Sequence, residues 1–441
     1  MTKETDIQKE QVFKSDFKVV LMSACKVGSG ILRLNNKEEE LAITNFQNLQ
    51  EVPSFFIPAS GSGSRMFQFL FEMNNSQDRE EAFRALSKLA VAENYLDKAT
   101  NADEFIAQLL KGEAFKPKGL IPFHIVNEKV YTAFQEQVLQ VKALFPNDAR
   151  LHFTIQKSFE KEIKENISEL GREIDGVDIT YSYQSTSSDA YCFNANGDLF
   201  QDESGVVRRP AGHGAILENL NALPERLVCL KNIDNIQHLS KAEESTRVWK
   251  IATGLLMEFE AELRGLVQNF SKEKLEALNA RFQFLSEDEV RRCDTTFIKA
   301  LASRPTRVCG MVKNEGEPGG GPFWIKGGDH VTKQIVEKIQ VSENDEQQKI
   351  IKESSHFNPV FIVISKSDVY GNHLDLMEFV DDSKFFVVNK SHKGNEILYR
   401  ELPGLWNGGM SNWNSLFLEI PSAVFSPVKT ILDLTKPAHL A

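Results

Sequence analysis

The chain has 441 residues, 41% hydrophobic and 26% charged, which is enough for two or three subdomains and has the balance of a globular protein. Its net charge of −11 excludes the basic surface of a general nucleic-acid binder and leaves room for a local cationic pocket. Five scattered cysteines show neither metal nor disulfide spacing, MTKETDIQKEQ is too polar for a signal peptide, and VVLMSA at 19–24 is too short to cross a bilayer. A cytoplasmic chain without membrane or nucleic-acid partners is expected.

The first fifty residues read as one or two helices around a glycine turn, with Gly28 and Gly30 as a helix stop and loop entry beside Arg33. FFIPASGSGSRMF at 55–67 then runs from a short apolar strand, closed by Pro58, through Gly61, Ser62, Gly63 and Ser64 to Arg65 and a helical stretch. Strand, glycine loop and helix start bring bare amides and a helix dipole to one point, which suits phosphate; a plain structural turn has the same look. The ending GSGSR lacks the G-K-[ST] of a P-loop, so ATP hydrolysis is not indicated.

Residues 68–112 carry apolar side chains at helical spacing, as a packing element or lid. In FKPKGLIPFH at 115–124, Lys118 stands between Pro117 and Gly119, either aimed at a fixed point or an ordinary surface lysine. VYTAFQEQVLQVKALF at 130–145 reads as helix, RLHFTIQ as strand, FEKEIKENISEL as a helix ended by Gly171, and VDITYSYQ as strand. This β-α-β rhythm predicts a largely parallel α/β sheet with ligands at the carboxyl ends of its strands, where Gln184 sits. FNANGDLF at 193–200 predicts a tight turn at Asn196-Gly197.

RRPAGHGAILENL at 208–220 brackets His213 between Gly212 and Gly214 just before a helix, a place for ligand contact rather than proton transfer. LVCLKNIDNI at 227–236 is an apolar strand ending at Asp234, either a Mg²⁺-holding carboxylate or an Asx cap. Residues 241–303 read as an inserted helical bundle. RVCGMVKNEGEPGGGPFWI at 307–325 passes from strand to a glycine-rich flap or connector, and HFNPVFIVISKSD at 356–368 is one more strand. Trp406 and Trp413 are a sugar platform or core, and VFSPVKTILDL places Lys429 on a turn after Ser426-Pro427.

Taken together, these segments resemble a family. ASGSGSRM is similar to the G-x-G-T-R-[LM] signature of sugar-nucleotide pyrophosphorylases, with Ser64 for the usual Thr, and FKPKGLIP to their P-K-x-L-x-P segment. YSYQ, RPAGHGAIL, LKNIDNI and FSPVKT follow in the order of the UDP-N-acetylhexosamine and UDP-glucose pyrophosphorylase branch. The whole chain, including LPGLWNGGMSNWN, is most similar to an uncharacterised bacterial domain-of-unknown-function family. The resemblance implies an α/β fold, GT-A-like and Rossmann-type, with a mixed, mostly parallel sheet flanked by helices and carrying helical insertions. It also implies the reaction of a nucleoside triphosphate, expected to be UTP, with a sugar 1-phosphate to give an NDP-sugar and pyrophosphate, with Mg²⁺ as cofactor.

Carried over, Gly61, Ser62, Gly63, Ser64 and Arg65 would cradle the triphosphate, with Arg65 facing the leaving pyrophosphate. Lys118 would stabilise charge on the α-phosphate and Lys429 would contact phosphate. Gln184 and the Gly212, His213, Gly214 loop would read the base, Asp234 would bind Mg²⁺, and Glu317 and Asn358 would contact the sugar. The chain departs from the family in the long insertion between Arg65 and Lys118, in His213 for the usual Asn, and in EGEPGGGPF where the sugar-reading E-Y-S-E stands. A nucleotide or sugar-nucleotide binding protein without turnover is the alternative. The expected organisation is a helical segment at 1–50, a nucleotidyltransferase-like core at 51–240 with an insertion at about 68–112, a helical insertion at 241–303, and a C-terminal α/β part at 304–441.

Overall fold

The computed structural model describes residues 3–14, 18–316, 319–328 and 330–441. Glu317 lies outside the described residues. The strands used below are β1 (Leu21–Ala24), β2 (Ser54–Pro58), β3 (Ala149–Ile155), β4 (Val177–Tyr183), β5 (Leu227–Lys231), β6 (Thr306–Lys313), β7 (Gly321–Gly327), β8 (His330–Val336), β9 (Phe361–Ser365) and β10 (Asn414–Glu419). The helices are α1 (Asn36–Gln47), α2 (Ala133–Leu144), α3 (Glu243–Gln268), α4 (Lys272–Phe282) and α5 (Glu287–Arg292). The chain is a mixed α/β protein with a mostly parallel sheet flanked by helices, and it divides by its contacts into two units.

One unit comprises Asn48–Tyr183, Leu227–Ile251 and Ile420–Ala441. Its strands run parallel in the order β5-β2-β3-β4, with Cys229 opposite Phe55, Phe55 opposite Leu151, and Leu151 opposite Ile179. Both faces of such a sheet are covered, so β2 and β5 read as unbroken buried runs, and only β4 has the partly exposed pattern of an edge strand. α2 packs beside this sheet with Phe134 against Phe153. Gln135, Glu136, Gln137 and Gln140 of α2 are all buried, so the helix is enclosed and not amphipathic. VYT at 130–132 belongs to a strand, Lys129–Thr132, and not to the helix as the sequence predicts. The residues are β-branched and aromatic, and Thr132 caps the helix in a reciprocal box with Gln135, so the helical geometry begins at Ala133.

The other unit comprises Met1–Gln47, Gln184–Arg226 and Ala252–Glu419. β6 is flanked by β10, parallel, and by β9, antiparallel, while β1, β7 and β8 form a separate antiparallel sheet. Gly28 and Gly30 do not stop a helix: the preceding helix ends at Lys14, and both glycines hold left-handed backbone (φ 84° and 93°) where Lys26–Val27 pairs with Gly30–Ile31. HFNPVFIVISKSD is two strands and not one, His356–Phe357 and β9, because Pro359 removes a ladder donor and Val360 turns the chain at φ 59°.

Arg307 of β6 is fully buried and donates from Nε to Ser415 Oγ (2.7 Å), from one terminal nitrogen to the Trp406 carbonyl (2.6 Å) and from the other to Gln334 Oε1 (3.3 Å). Its partners are neutral acceptors of β10, β8 and the 403–413 loop, so one side chain ties three segments. Arg307→Ala empties that space and orphans three acceptors, with an expected loss of about 3–5 kcal/mol, read from the urea midpoint. A loss below about 1 kcal/mol would show the tie to be dispensable.

Candidate functional site

The glycine loop follows β2 and is stitched to the segment carrying Lys118. Gly63 N–H donates to the Lys116 carbonyl (2.8 Å), Lys118 N–H donates to the Gly61 carbonyl (3.1 Å), and Ser62 bridges to Pro117. The two glycines differ in purpose. A Cβ on Gly63 would stand 2.5 Å from Ile121 Cδ1, so that position is needed for packing, whereas a Cβ on Gly61 would meet nothing within 4 Å. Gly61 and Ser62 are exposed, and the space at the Gly61 Cα is open to a ligand. The expected helix start is weaker than predicted: Ser64–Phe67 is a 3-10 turn and Gln68–Glu72 is a five-residue helix, too short for a large macrodipole. Arg65 is exposed, and its side chain makes no hydrogen bond or ion pair among the described residues.

Asp234 lies three residues past the end of β5, in a turn closed by Asn235 N–H to the Asn232 carbonyl (3.2 Å). Glutamines of the enclosed helix hold that turn: Gln137 Nε2 donates to the carbonyls of Asn232 and Ile233, and Gln140 Nε2 to that of Gln237. The C-terminal segment is sewn to the same turn. Ser426 N–H donates to Asn235 Oδ1 (2.9 Å) and Val428 N–H to the Asp234 carbonyl (2.9 Å), which delivers Lys429. The Asp234 carboxylate, 5% exposed, then accepts on one oxygen, Oδ2, from Lys118 Nζ at 2.7 Å and Lys429 Nζ at 3.2 Å. Burial pushes this carboxyl up, but the two ammonium groups outweigh it and hold it below the ordinary aspartate range.

Gln156, at the end of β3, donates from Nε2 to the Ser60 carbonyl at 2.5 Å and so touches the glycine loop. The sequence points to Gln184 and not to Gln156, although both are amides following a parallel strand. Gln184 immediately follows β4, and its Nε2 is buried with no hydrogen-bond partner among the described residues.

In the other unit, Gly212 has φ 75°, and a Cβ there would strike Glu401. His213 stacks on Trp406 with ring centroids 4.0 Å apart and planes at 8°, and its Nδ1 accepts from Leu405 N–H (2.9 Å). Its Nε2 stands 3.4 Å from Glu337 Oε1, which also accepts from Asn407 Nδ2. Glu337 carried no motif and escapes sequence reading. Trp413 is buried. Asn358 is buried with its amide engaged, Nδ2 on the Gly310 carbonyl and Oδ1 on Val360 N–H, so the side chain is turned to its own main chain.

The C-terminal segment has a second anchor, also absent from any motif. His124 meets Glu136 Oε2 through Nδ1 (2.6 Å) and His439 Nδ1 through Nε2 (2.9 Å), with His238, Lys231, Asp433 and Lys436 around them. Burial lowers His124 to about 3 and His439 to about 4, and raises Glu136 to about 8. Neutral histidines stabilise above pH 6.5 and lose that contribution as pH falls toward their folded values, whereas falling pH relieves the buried Glu136. Glu136→Gln keeps only the histidine limb, so its stability should fall more steeply than the parent's between pH 6.5 and 4, by about 3 kcal/mol. Urea midpoints across that range check it, and a shallower slope in the variant would contradict it.

The sequence profile described as "Domain of unknown function (DUF4301)" matches residues 1–111 and 85–440. The chain belongs to the DUF4301 family. A comparison with curated proteins returns no match. Among solved structures, the chain is similar to a protein assigned as a UDP-N-acetylglucosamine pyrophosphorylase in Entamoeba histolytica, at 13% identity and TM-score 0.46, covering 92% of this chain and 82% of that one. It is also similar to a UDP-glucose phosphorylase from Trypanosoma brucei, at 12% identity and TM-score 0.46, covering 95% and 69%. A single-residue variant of the Leishmania major UDP-glucose pyrophosphorylase gives 11%, 0.44, 95% and 70%. No helix among the described residues is long and apolar enough to cross a membrane.

Proposed function

We propose that this chain is a nucleotidyltransferase that combines a nucleoside triphosphate, expected to be UTP, with a sugar 1-phosphate to give an NDP-sugar and pyrophosphate. The observation that carries the reading is the pair of ammonium groups, Lys118 and Lys429, held on one buried carboxylate beside an open glycine loop. Phosphoryl chemistry needs little covalent help from a protein; it needs placed cations and amides where charge develops. Here an oxygen of the sugar 1-phosphate attacks the α-phosphorus, the bond from that phosphorus to the bridging oxygen breaks, and the electron pair leaves on pyrophosphate. Lys118 offsets charge on the α-phosphate, and the Arg65 side chain, without a hydrogen bond or ion pair among the described residues, meets the leaving pyrophosphate. Lys429, 53% exposed at its side chain, has the freedom to exchange Asp234 for a phosphate oxygen.

Asp234 is the carboxylate that accepts from both lysines, and no group of three or more metal-ligating side chains occurs among the described residues. Its Oδ2 is taken by two lysines, while Oδ1 accepts no hydrogen bond among them. That donor set fits a Mg²⁺ whose remaining ligands are phosphate oxygens and water, and does not fit a protein-enclosed ion. Asp234 is the residue that would hold it, and the ion would neutralise phosphate charge.

A second reading, a nucleotide-binding protein without turnover, is favoured by the same commitment of Asp234 to two lysines. A panel of nucleoside triphosphates and sugar 1-phosphates with Mg²⁺, followed by pyrophosphate release, separates the two. Turnover with at least one pair is expected. Tight UTP or UDP-sugar binding with no turnover in any pair would leave the binding reading standing.

A further inference from the structure

We infer that the unit built from 1–47, 184–226 and 252–419 carries a separate binding site for an uncharged, hydroxyl-rich ligand of disaccharide size. A cavity of about 920 Å³ opens there between the β1-β7-β8 sheet, the Gly28–Gly30 turn and helices α4 and α5. Residues of β7 alternate across the sheet. Phe323 and Ile325 join the buried cluster of Leu21 and Ala24, so Trp324 is left on the other face and lines the cavity, half-buried. Gly30 keeps the ring in place, since a Cβ there would stand 3.1 Å from Trp324 Cζ2 and 2.9 Å from Cys25 Sγ.

The wall is built and not a loose gap. Gln283 holds left-handed backbone (φ 47°), and its Oε1 accepts from Gly30 N–H (2.9 Å). Lys333, 2% exposed, donates from Nζ to the carbonyls of Gly30 (3.1 Å) and Gln283 (2.6 Å), locking turn to helix end. That ammonium is held by main chain and lies over the Trp324 ring, 5.8 Å from its centroid, so it backs the indole and is not presented to a ligand. What does face the cavity is polar and unspent: Ser23, Ser29, the Nε2 of Gln283 and the carboxylates of Glu276 and Glu287 make no side-chain hydrogen bond among the described residues. Arg291 on the rim is paired with Asp288 (3.4 Å).

This chemistry selects a class. An indole takes the apolar C–H face of a pyranose ring, and hydroxyl, amide and carboxylate groups around it satisfy the ring's hydroxyls. Two uncompensated carboxylates disfavour phosphorylated ligands, so nucleotides and sugar phosphates are rejected on charge. The inference does not rest on the nucleotidyltransfer reading, because no residue is shared.

The full chain would be titrated with cellobiose, maltose and N,N′-diacetylchitobiose, using saturation-transfer NMR and calorimetry, with spermidine and glucose 1-phosphate as counter-probes. At least one disaccharide should bind with Kd of about 1 mM or tighter, unaffected by saturating UTP. Trp324→Ala should weaken it about tenfold, and Glu276→Gln about threefold. If Trp324→Ala fails to fold, the double variant Glu276→Gln, Glu287→Gln decides, with the same direction expected. No disaccharide binding up to about 10 mM, binding unchanged in the folded variants, or variant-sensitive binding of spermidine or glucose 1-phosphate in place of a disaccharide would overturn the site.

Discussion

Lys118→Ala should lower the rate of pyrophosphate release about 100- to 1,000-fold, with the fold retained. Its ammonium lies 2.7 Å from Asp234 Oδ2, and its own N–H is bonded to Gly61, so the cation is fixed beside the loop proposed to hold the triphosphate. A cation already positioned costs no reorganisation during the reaction, and for that reason its loss falls on rate more than on stability. Asp234 keeps Lys429 as a partner in the variant, which avoids leaving a buried charge alone. Lys429→Ala should be milder, about 10-fold, since its side chain is half exposed and better screened. Steady-state pyrophosphate release with the best substrate pair, alongside circular dichroism, measures both. Unchanged release in Lys118→Ala would remove that residue from the mechanism.

Gly254→Ala should cost about 3 kcal/mol or more in the urea midpoint. Gly254 is on α3, and a Cβ there would lie 1.8 Å from the Ala42 carbonyl oxygen and 2.6 Å from its carbon, both main chain of α1. A side chain can swing aside, but the backbone of a packed helix cannot without moving the helix. Gly265→Ala on the same helix is the control, because its Cβ would meet nothing within 4 Å. That change should stabilise by about 0.5–1 kcal/mol through helix propensity and a less flexible unfolded chain. Equal effects at the two positions would refute the close-contact argument.

The apolar runs FFI, HFTI and LVCL were legible as strands because a parallel sheet covered on both faces demands continuous hydrophobicity. The glycine loop, Lys118, Asp234 and Lys429 were legible as local motifs, each with an unremarkable alternative. Their meeting at one carboxylate was not, since nothing local records that lysines 116 and 195 positions away from Asp234 share it as an acceptor. Gln156, Glu337 and the His124–Glu136–His439 chain were missed for a similar reason. Each is an ordinary polar residue whose role comes from what the fold buries it against. The reading of VYT as helix failed where a capping Thr132 set the boundary, and the single strand at 356–368 failed at Pro359 and Val360.

By itself, the sequence determined what is local or periodic: an α/β chain with parallel strands, glycine turns at their ends, and a net negative charge that leaves cations for specific places. Side-chain periodicity and turn chemistry act over a few residues, so they can be read without a fold. Only the tertiary structure decided which lysines neutralise Asp234, why Gly63 is a packing glycine and Gly61 an open one, and that Gly28 and Gly30 edge a cavity floored by Trp324. Those outcomes depend on which groups lose water together, and desolvation at a distance leaves no mark on neighbouring residues of the chain.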